Sequence, residues 1–206
     1  MRVVRADAAG AREAEAALEA GGVVVLPTDT VYGLAARPAD ADAVRAVFRA
    51  KGRPEGMPLP ILAADEAQVR GLGVAFTAAA AVLARRWWPG PLTLAFGFDA
   101  ERTRPDWLAG RDEVAVRVPD HDFLRRLLAR TGVLAVTSAN PHGAPTPHTA
   151  DEVAAGLGTS VDLVVDGGRL PDVPSTLVNV RGPHPVVERE GAIPSGAVAA
   201  ALAEGR

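Results

Sequence analysis

The sequence predicts an α/β fold in which a twisted, mixed β-sheet with flanking helices surrounds a central cleft. Apolar strand runs and amphipathic helices alternate over the first two-thirds of the chain, and strand runs then follow one another near its end. This order favours a mixed sheet over a doubly wound parallel sheet. Two apolar runs, which end at Leu26 and Val136, pass directly into short hydroxyl-bearing side chains. Ligands bind beside the carboxyl ends of strands in open α/β sheets, so these two strand ends predict the position of the cleft.

Apolar spacing and break signals place the elements of the first half of the chain. Short apolar runs predict strands at 2–4, 23–26, 58–63 and 92–98. Alanine-rich or helically spaced stretches predict helices at 8–20, 40–50, 66–71 and 76–87. The pair Gly21-Gly22 ends the first of these helices, and Asp40 caps the second.

The same signals place the elements of the second half. Strands are predicted at 114–118, 133–136, 161–165, 176–180 and 185–188. Helices are predicted at 121–130, 149–156 and 193–203. Asp120 is expected to cap the first of these helices, and Thr149 with Glu152 forms a capping box for the second. Since no repeat, linker or low-complexity block interrupts the pattern, a single domain over residues 1–206 is expected.

The composition is that of a folded protein and is compatible with a reducing compartment. Of the 206 residues, 48% are hydrophobic and 23% are charged, which is ordinary for a chain that buries a proper core. Cysteine is absent, which excludes disulfides, thiolate metal ligands and thiol nucleophiles. No signal core and no apolar stretch near the ~20 residues of a membrane span are present, so we expect a cytoplasmic protein. The net charge of −3 gives no overall attraction to nucleic acid.

Residues 27–34, with the sequence PTDTVYGL, are the most informative segment of the chain. Pro27 cannot donate to a sheet ladder and therefore ends the preceding strand. Thr28, Asp29 and Thr30 then offer short polar side chains at the strand's carboxyl end, and the chain's only tyrosine, Tyr32, follows. The alternative interpretation is an ordinary strand-to-helix loop with Asx or Ser/Thr turns.

Two cations lie in a Gly/Pro loop directly after the predicted 40–50 helix. Lys51 is the single lysine among 22 basic residues, and Arg53 stands two positions further along. A mobile ammonium beside a planar guanidinium is a plausible phosphate clamp. The alternative is a solvated helix end, where the helix dipole favours cations in any case.

Arg117 stands inside the apolar alternation of residues 114–118. A charged side chain in such a run is costly to bury without a partner. If its face of the strand lines a cleft, the guanidinium can bind a carboxylate through two parallel hydrogen bonds. The alternative is a structural ion pair with the nearby Asp120.

Residues 137–140, with the sequence TSAN, repeat the pattern of a buried strand that ends in hydroxyl and amide groups. No nucleophile elbow, Walker motif or dinucleotide glycine pattern is present. His142 and His148 flank the following loop, but without carboxylates at ligand spacing they do not predict a metal site. The remaining groups indicate a site that binds an anionic small molecule and a nucleotide, and that acts by positioning and charge neutralisation.

In this order, seven segments resemble the YrdC-like family. They are PTDTVYGL at 27–34, KGRP at 51–54, WPGPLT at 88–93, AVRVPDH at 115–121, TSAN at 137–140, PSTLV at 174–178 and REGAI at 189–193. The resemblance covers nearly the whole chain and is closest to the short form of the family, which lacks an additional C-terminal domain.

The resemblance implies an enzyme that makes threonylcarbamoyl-adenylate from L-threonine, bicarbonate and ATP and releases pyrophosphate. The product serves the threonylcarbamoyl modification of adenosine 37 in tRNA, which also implies tRNA and threonylcarbamoyl transferase proteins as partners. Carried onto this chain, the threonine site is Thr28, Tyr32, Arg117, Thr137 and Ser175, with Arg117 on the carboxylate. The ATP site is Lys51, Arg53, Ser138, Ala139, Asn140, Thr146, Pro147 and Arg189. Lys51 and Arg53 would be catalytic, neutralising phosphate charge together with Mg²⁺.

The chain departs from the family pattern at two positions. His142 stands where a serine is common, and Ile61-Leu62 stands where some members carry a histidine, so a contact from each of those side chains is in question. Two rival functions stay open at this point. One is a carbamoyltransferase domain of the same fold that forms a carbamoyl-adenylate, and the other is a non-enzymatic RNA-binding module.

Overall fold

The computed structural model describes residues 1–54 and 58–205 and forms one mixed sheet of ten strands within them. The strands are β1 (Arg2–Arg5), β2 (Val24–Leu26), β3 (Gly33–Ala36), β4 (Ile61–Leu62), β5 (Leu92–Phe96), β6 (Val114–Arg117), β7 (Leu134–Ser138), β8 (Leu163–Asp166), β9 (Thr176–Asn179) and β10 (Val186–Arg189). Their order across the sheet is β1-β8-β2-β3-β7-β4-β6-β5-β9-β10. Parallel and antiparallel pairs are interspersed, which confirms the predicted mixed sheet.

Helices cover both faces of this sheet. They are α1 (Ala8–Glu19), α2 (Ala41–Lys51), α3 (Glu66–Arg70), α4 (Ala78–Trp87), α5 (Asp122–Thr131), α6 (Ala150–Leu157) and α7 (Ser195–Glu204). Short 3-10 turns lie at Asp106–Leu108 and Gly158–Ser160. No helix in the described part of the chain is long and apolar enough to cross a membrane.

Strand alternation divides the apolar residues into two cores. Ile61 packs in the core that contains α2, α4, α6 and α7, whereas its neighbour Leu62 packs in the core beneath α1 and α5. Since successive side chains point to opposite faces, the two-residue strand β4 serves both cores. In β6, Val116 belongs to the first core and Arg117 therefore faces the other side of the sheet.

The structure corrects the sequence analysis at β3, which was not predicted. The chain reverses after Pro27 and returns as Gly33–Ala36, which pairs antiparallel with both β2 and β7. Glycine and alanine have low strand propensity, and the four buried residues show no alternation from which a strand could be recognised. Residues 27–34 are therefore a turn plus the start of a central strand.

One predicted helix cap is also corrected, and a second is confirmed except for one of its contacts. His121, and not Asp120, caps α5, and its Nδ1 accepts a long hydrogen bond of 3.4 Å from the Leu124 amide. Thr149 caps α6 as expected by accepting from the Glu152 amide at 3.2 Å. The Glu152 carboxylate accepts from the His148 amide at 2.6 Å, one residue before the position that a capping box requires.

Candidate active site

A cavity of about 200 Å³ opens on the face of the sheet to which Arg117 points. Its lining comes from strand ends and loops that are far apart in sequence. The polar lining consists of Thr28, Thr30, Thr93, Arg117, Thr137, Ser138, Thr146, Ser175 and Arg189. The apolar lining consists of Val31, Gly33, Pro60, Leu62, Val136 and Pro174. Most of the predicted threonine-binding residues thus line one cavity.

Arg117 is the cation at the floor of this cavity, and its side chain is only 7% exposed. Its Nε donates to the Gly90 carbonyl at 3.1 Å and its Nη1 donates to Thr30 Oγ1 at 2.7 Å. Its Nη2 forms an ion pair with Asp29. The structural alternative that paired Arg117 with Asp120 is therefore wrong, because the β2–β3 turn brings Asp29 to the guanidinium instead.

The surroundings of Arg117 shift its pKa in opposite directions. Burial lowers the pKa of Arg117, and the Asp29 carboxylate opposes that shift. A guanidinium has five N–H groups, and the three contacts above use one on each nitrogen. Each terminal nitrogen carries a second N–H beyond these contacts, and a guanidinium that lines a cavity is a suitable partner for a ligand carboxylate.

The two threonines of the β2–β3 turn have different tasks. Thr28 Oγ1 accepts from the amides of Thr30 and Val31, at 3.0 and 3.1 Å, and donates to the Val31 carbonyl at 2.7 Å. This hydroxyl holds the turn, although Thr28 lines the cavity as predicted. Thr30, whose role the sequence analysis missed, is the hydroxyl that contacts Arg117.

A second polar cluster lies beside Arg117. Thr93 is the cross-strand partner of Arg117, and its Oγ1 is 2.8 Å from Ser175 Oγ. Arg189 Nη2 donates to the Ser175 carbonyl at 2.8 Å and lies 3.2 Å from Ser175 Oγ. Ser175 and Arg189 were predicted site residues, whereas Thr93 belonged to a predicted strand and to the 88–93 segment but was given no role in the site.

Lys51 connects the end of α2 to the loop after β7. Its Nζ donates to the Ser138 carbonyl at 2.5 Å and to the Asn140 carbonyl at 2.7 Å, with Asn140 Oδ1 at 3.2 Å. The Lys51 carbonyl accepts from the His142 amide at 2.7 Å. Lys51 therefore holds residues 138–142 in place, and direct contact between its ammonium and a phosphate stays a prediction.

Lys51 does not line the cavity itself, but it contacts the cavity-lining Ser138, and its pKa is shifted toward neutral pH. Burial, and secondarily the neighbouring Arg53 cation, lowers the pKa of Lys51 to about 8. The ammonium is present below this pKa and is lost above it. Turnover is therefore expected to fall as the pH rises through about 8, because the tether to Ser138 and Asn140 loses its charge.

A pH profile of kcat from about pH 6.5 to about pH 9.5 checks this expectation. In the Lys51→Arg variant the cation stays protonated to above about pH 12, so the loss near pH 8 should disappear. An alkaline limb that is the same in both proteins would assign the titration to another group.

Of the remaining predicted ATP residues, Thr146 lines the cavity and the others do not. Asn140 Nδ2 donates to the Ala144 carbonyl at 2.6 Å, and the buried Ala139 donates its amide to the Tyr32 carbonyl at 2.8 Å. Pro147 is buried next to Thr146 in the chain, and Arg53 is half-buried outside the cavity wall.

Tyr32 does not lie in the cavity wall, which corrects the expected threonine contact. Its side chain is fully buried, and its hydroxyl donates to the Gly168 carbonyl at 2.6 Å and accepts from the Gly167 amide at 3.1 Å. Tyr32 thus ties residues 27–34 to the turn after β8. Its role is to fix the position of Asp29 and Thr30 relative to the sheet.

The sequence matches the Sua5/YciO/YrdC family model, described as "Telomere recombination", over residues 16–191. It is 38% identical over 183 residues to threonylcarbamoyl-AMP synthase of Bacillus subtilis strain 168, which covers 88% of this chain and 53% of that relative. It is 36% identical over 194 residues to a putative threonylcarbamoyl-AMP synthase of Mycobacterium tuberculosis strain H37Rv, which covers 94% of this chain and 89% of that relative. The chain therefore spans about half the length of the Bacillus relative and most of the mycobacterial one.

The fold is likewise similar to a solved structure. The crystal structure of Pyrococcus abyssi Sua5 complexed with L-threonine superposes with a TM-score of 0.88 at 35% identity. The match covers 98% of this chain and 61% of that chain.

Proposed function

The chain belongs to the Sua5/YciO/YrdC family, and we propose that it is an L-threonylcarbamoyladenylate synthase. It would join L-threonine, bicarbonate and ATP into threonylcarbamoyl-AMP and release pyrophosphate, as a nucleotidyltransferase of the cytoplasm. The observation that carries this proposal is the buried, hydroxyl-lined cavity with Arg117 at its floor.

The size and chemistry of the cavity suit an amino acid. Its volume of about 200 Å³ is below the range of roughly 300–1,000 Å³ typical of drug-sized ligands, so it does not take a whole nucleotide. The guanidinium of Arg117, which lines the cavity, suits the carboxylate of threonine. Thr137 and Ser175 offer hydroxyls for its polar groups, and Leu62 and Val136 offer apolar surface for its methyl group.

The nucleotide would then lie at the rim of the cavity. Ser138 and Thr146 line the cavity, and Lys51 holds the segment that begins at Ser138. Arg189 and Arg53 supply cations for the phosphates. Magnesium would enter as part of the Mg·ATP substrate and help to neutralise the phosphate charge.

The proposed reaction proceeds in two steps. The amine of threonine is carboxylated by bicarbonate to a carbamate, with loss of water. A carbamate oxygen then attacks the α-phosphorus of ATP in line, and pyrophosphate leaves with the bonding electron pair. The site contributes by holding the carbamate and the triphosphate together and by neutralising phosphate charge. The product would pass to tRNA through transferase partner proteins.

Incubation with ATP, bicarbonate and labelled L-threonine tests the proposal. The expected result is a labelled adenylate together with one pyrophosphate per product molecule, and neither should form when threonine is omitted. ATP turnover that needs carbamoyl phosphate and not threonine would instead support the carbamoyltransferase alternative. Tight tRNA binding with a steep salt dependence and no ATP turnover would support the RNA-binding alternative.

A further inference from the structure

The carboxylate of Asp29 is bound to the same guanidinium that is assigned to the substrate. It pairs with Arg117 Nη2, and its side chain is only 13% exposed. Asp29 is nevertheless not among the residues that line the cavity. Arg117 therefore lines the cavity and at the same time pairs with a protein carboxylate that does not line it.

We propose that Asp29 is an internal counter-ion of Arg117 that weakens the binding of the substrate's carboxylate through the guanidinium the two anions share. The inference rests on the proposed function, because it takes the ligand of Arg117 to be an amino-acid carboxylate. It assigns to Asp29 a task in setting substrate affinity that is separate from holding the turn.

The orientation of Arg117 does not depend on Asp29 alone. The Gly90 carbonyl holds Nε and the Thr30 hydroxyl holds Nη1, so two of the three anchors come from other residues. An asparagine at position 29 keeps an oxygen that can accept from Nη2 and removes only the negative charge. The guanidinium should then keep its orientation, while its positive charge is no longer neutralised by a carboxylate at position 29.

The electrostatic consequence is a change in affinity of known sign. A ligand carboxylate bound to Arg117 would share this cation with the Asp29 carboxylate, so each anion reduces the favourable interaction that the other gains. In a buried site this like-charge interaction is poorly screened. Removing the Asp29 charge leaves the ligand as the counter-ion of Arg117 and should tighten its binding by about tenfold.

For the stability of the unliganded protein, the same substitution is expected to have the opposite effect. Without Asp29, a buried guanidinium has no counter-ion, which is destabilising. Asp29→Asn should therefore lower the melting temperature of the unliganded protein while it raises the affinity for threonine. A residue that only holds the turn or only orients Arg117 would lower both when replaced.

Calorimetric titration with L-threonine and with L-threoninol, in which an alcohol replaces the carboxylate, tests this inference. In Asp29→Asn the Kd for L-threonine is expected to fall about tenfold, whereas the Kd for L-threoninol stays within about twofold. The matched control is Asp120→Asn, which removes an exposed carboxylate three residues from Arg117 and should change neither. Asp29→Ser supplies a second uncharged variant if the asparagine protein does not fold.

Weaker threonine binding in the Asp29 variants, or equal changes for both ligands, would overturn the inference. The proposed function fails in a different way, namely by the absence of threonine binding to the unmodified protein. That result would remove this inference as well, whereas a wrong sign in the variants would leave the proposed function intact.

Discussion

Replacing Lys51 with methionine is expected to lower turnover about 10²–10³-fold, by analogy with the loss of one preorganised donor in an enzyme site. The ammonium donates to the carbonyls of Ser138 and Asn140 and so fixes the loop assigned to the nucleotide. Methionine fills much of the same volume but donates no hydrogen bond. The kcat of pyrophosphate release at saturating substrates measures the effect.

Arg49→Met on the same helix is the matched control, since Arg49 is exposed and lies two residues before Lys51. It should leave kcat within about twofold of the unmodified enzyme. A Lys51→Met protein that retains kcat within about threefold would contradict the role given to this tether. Circular dichroism shows whether the variant is folded.

Replacing Arg117 with alanine is expected to weaken threonine binding by roughly 10–100-fold. The lost charge-assisted hydrogen bonds are worth about 1.5–3 kcal/mol, which converts to that range. The change also leaves Asp29 as a buried carboxylate without its cation, so the variant should be less stable. Calorimetric titration with L-threonine measures the affinity.

The double variant Arg117→Met, Asp29→Asn removes both charges and keeps the affinity measurable if the single variant unfolds. Arg126→Ala is the control, because Arg126 is exposed on α5 away from the cavity lining. Unchanged threonine affinity in a folded Arg117 variant would show that the substrate carboxylate binds elsewhere.

Most helices and strands could be predicted because their signals are local. Asp40 stands directly before α2, and the apolar spacing that predicts α5 lies within that helix, so each signal is next to or inside the element it predicts. β3 could not be predicted, because Gly33–Ala36 has neither alternation nor strand-forming residues and is stabilised by pairing with β2 and β7. Gly33 is needed there because a Cβ would lie 2.6 Å from Val136 Cγ1.

The site was predictable where a residue is unusual in its own surroundings. A charged residue in an apolar run marked Arg117, and polar groups after a buried strand marked Thr137. The partners of Arg117 could not be found in this way, since Asp29 and Thr30 are 88 and 87 residues distant in sequence. Tyr32 was assigned to the wrong role for the same reason, because the turn it contacts is more than 130 residues further along.

A crystal structure of this chain with L-threonine tests the central claim most directly. We expect the threonine carboxylate in the cavity beside Thr93 and Ser175, with its oxygens about 2.7–2.9 Å from the terminal nitrogens of Arg117. Threonine bound at another surface, or bound here with its carboxylate turned away from Arg117, would contradict the account.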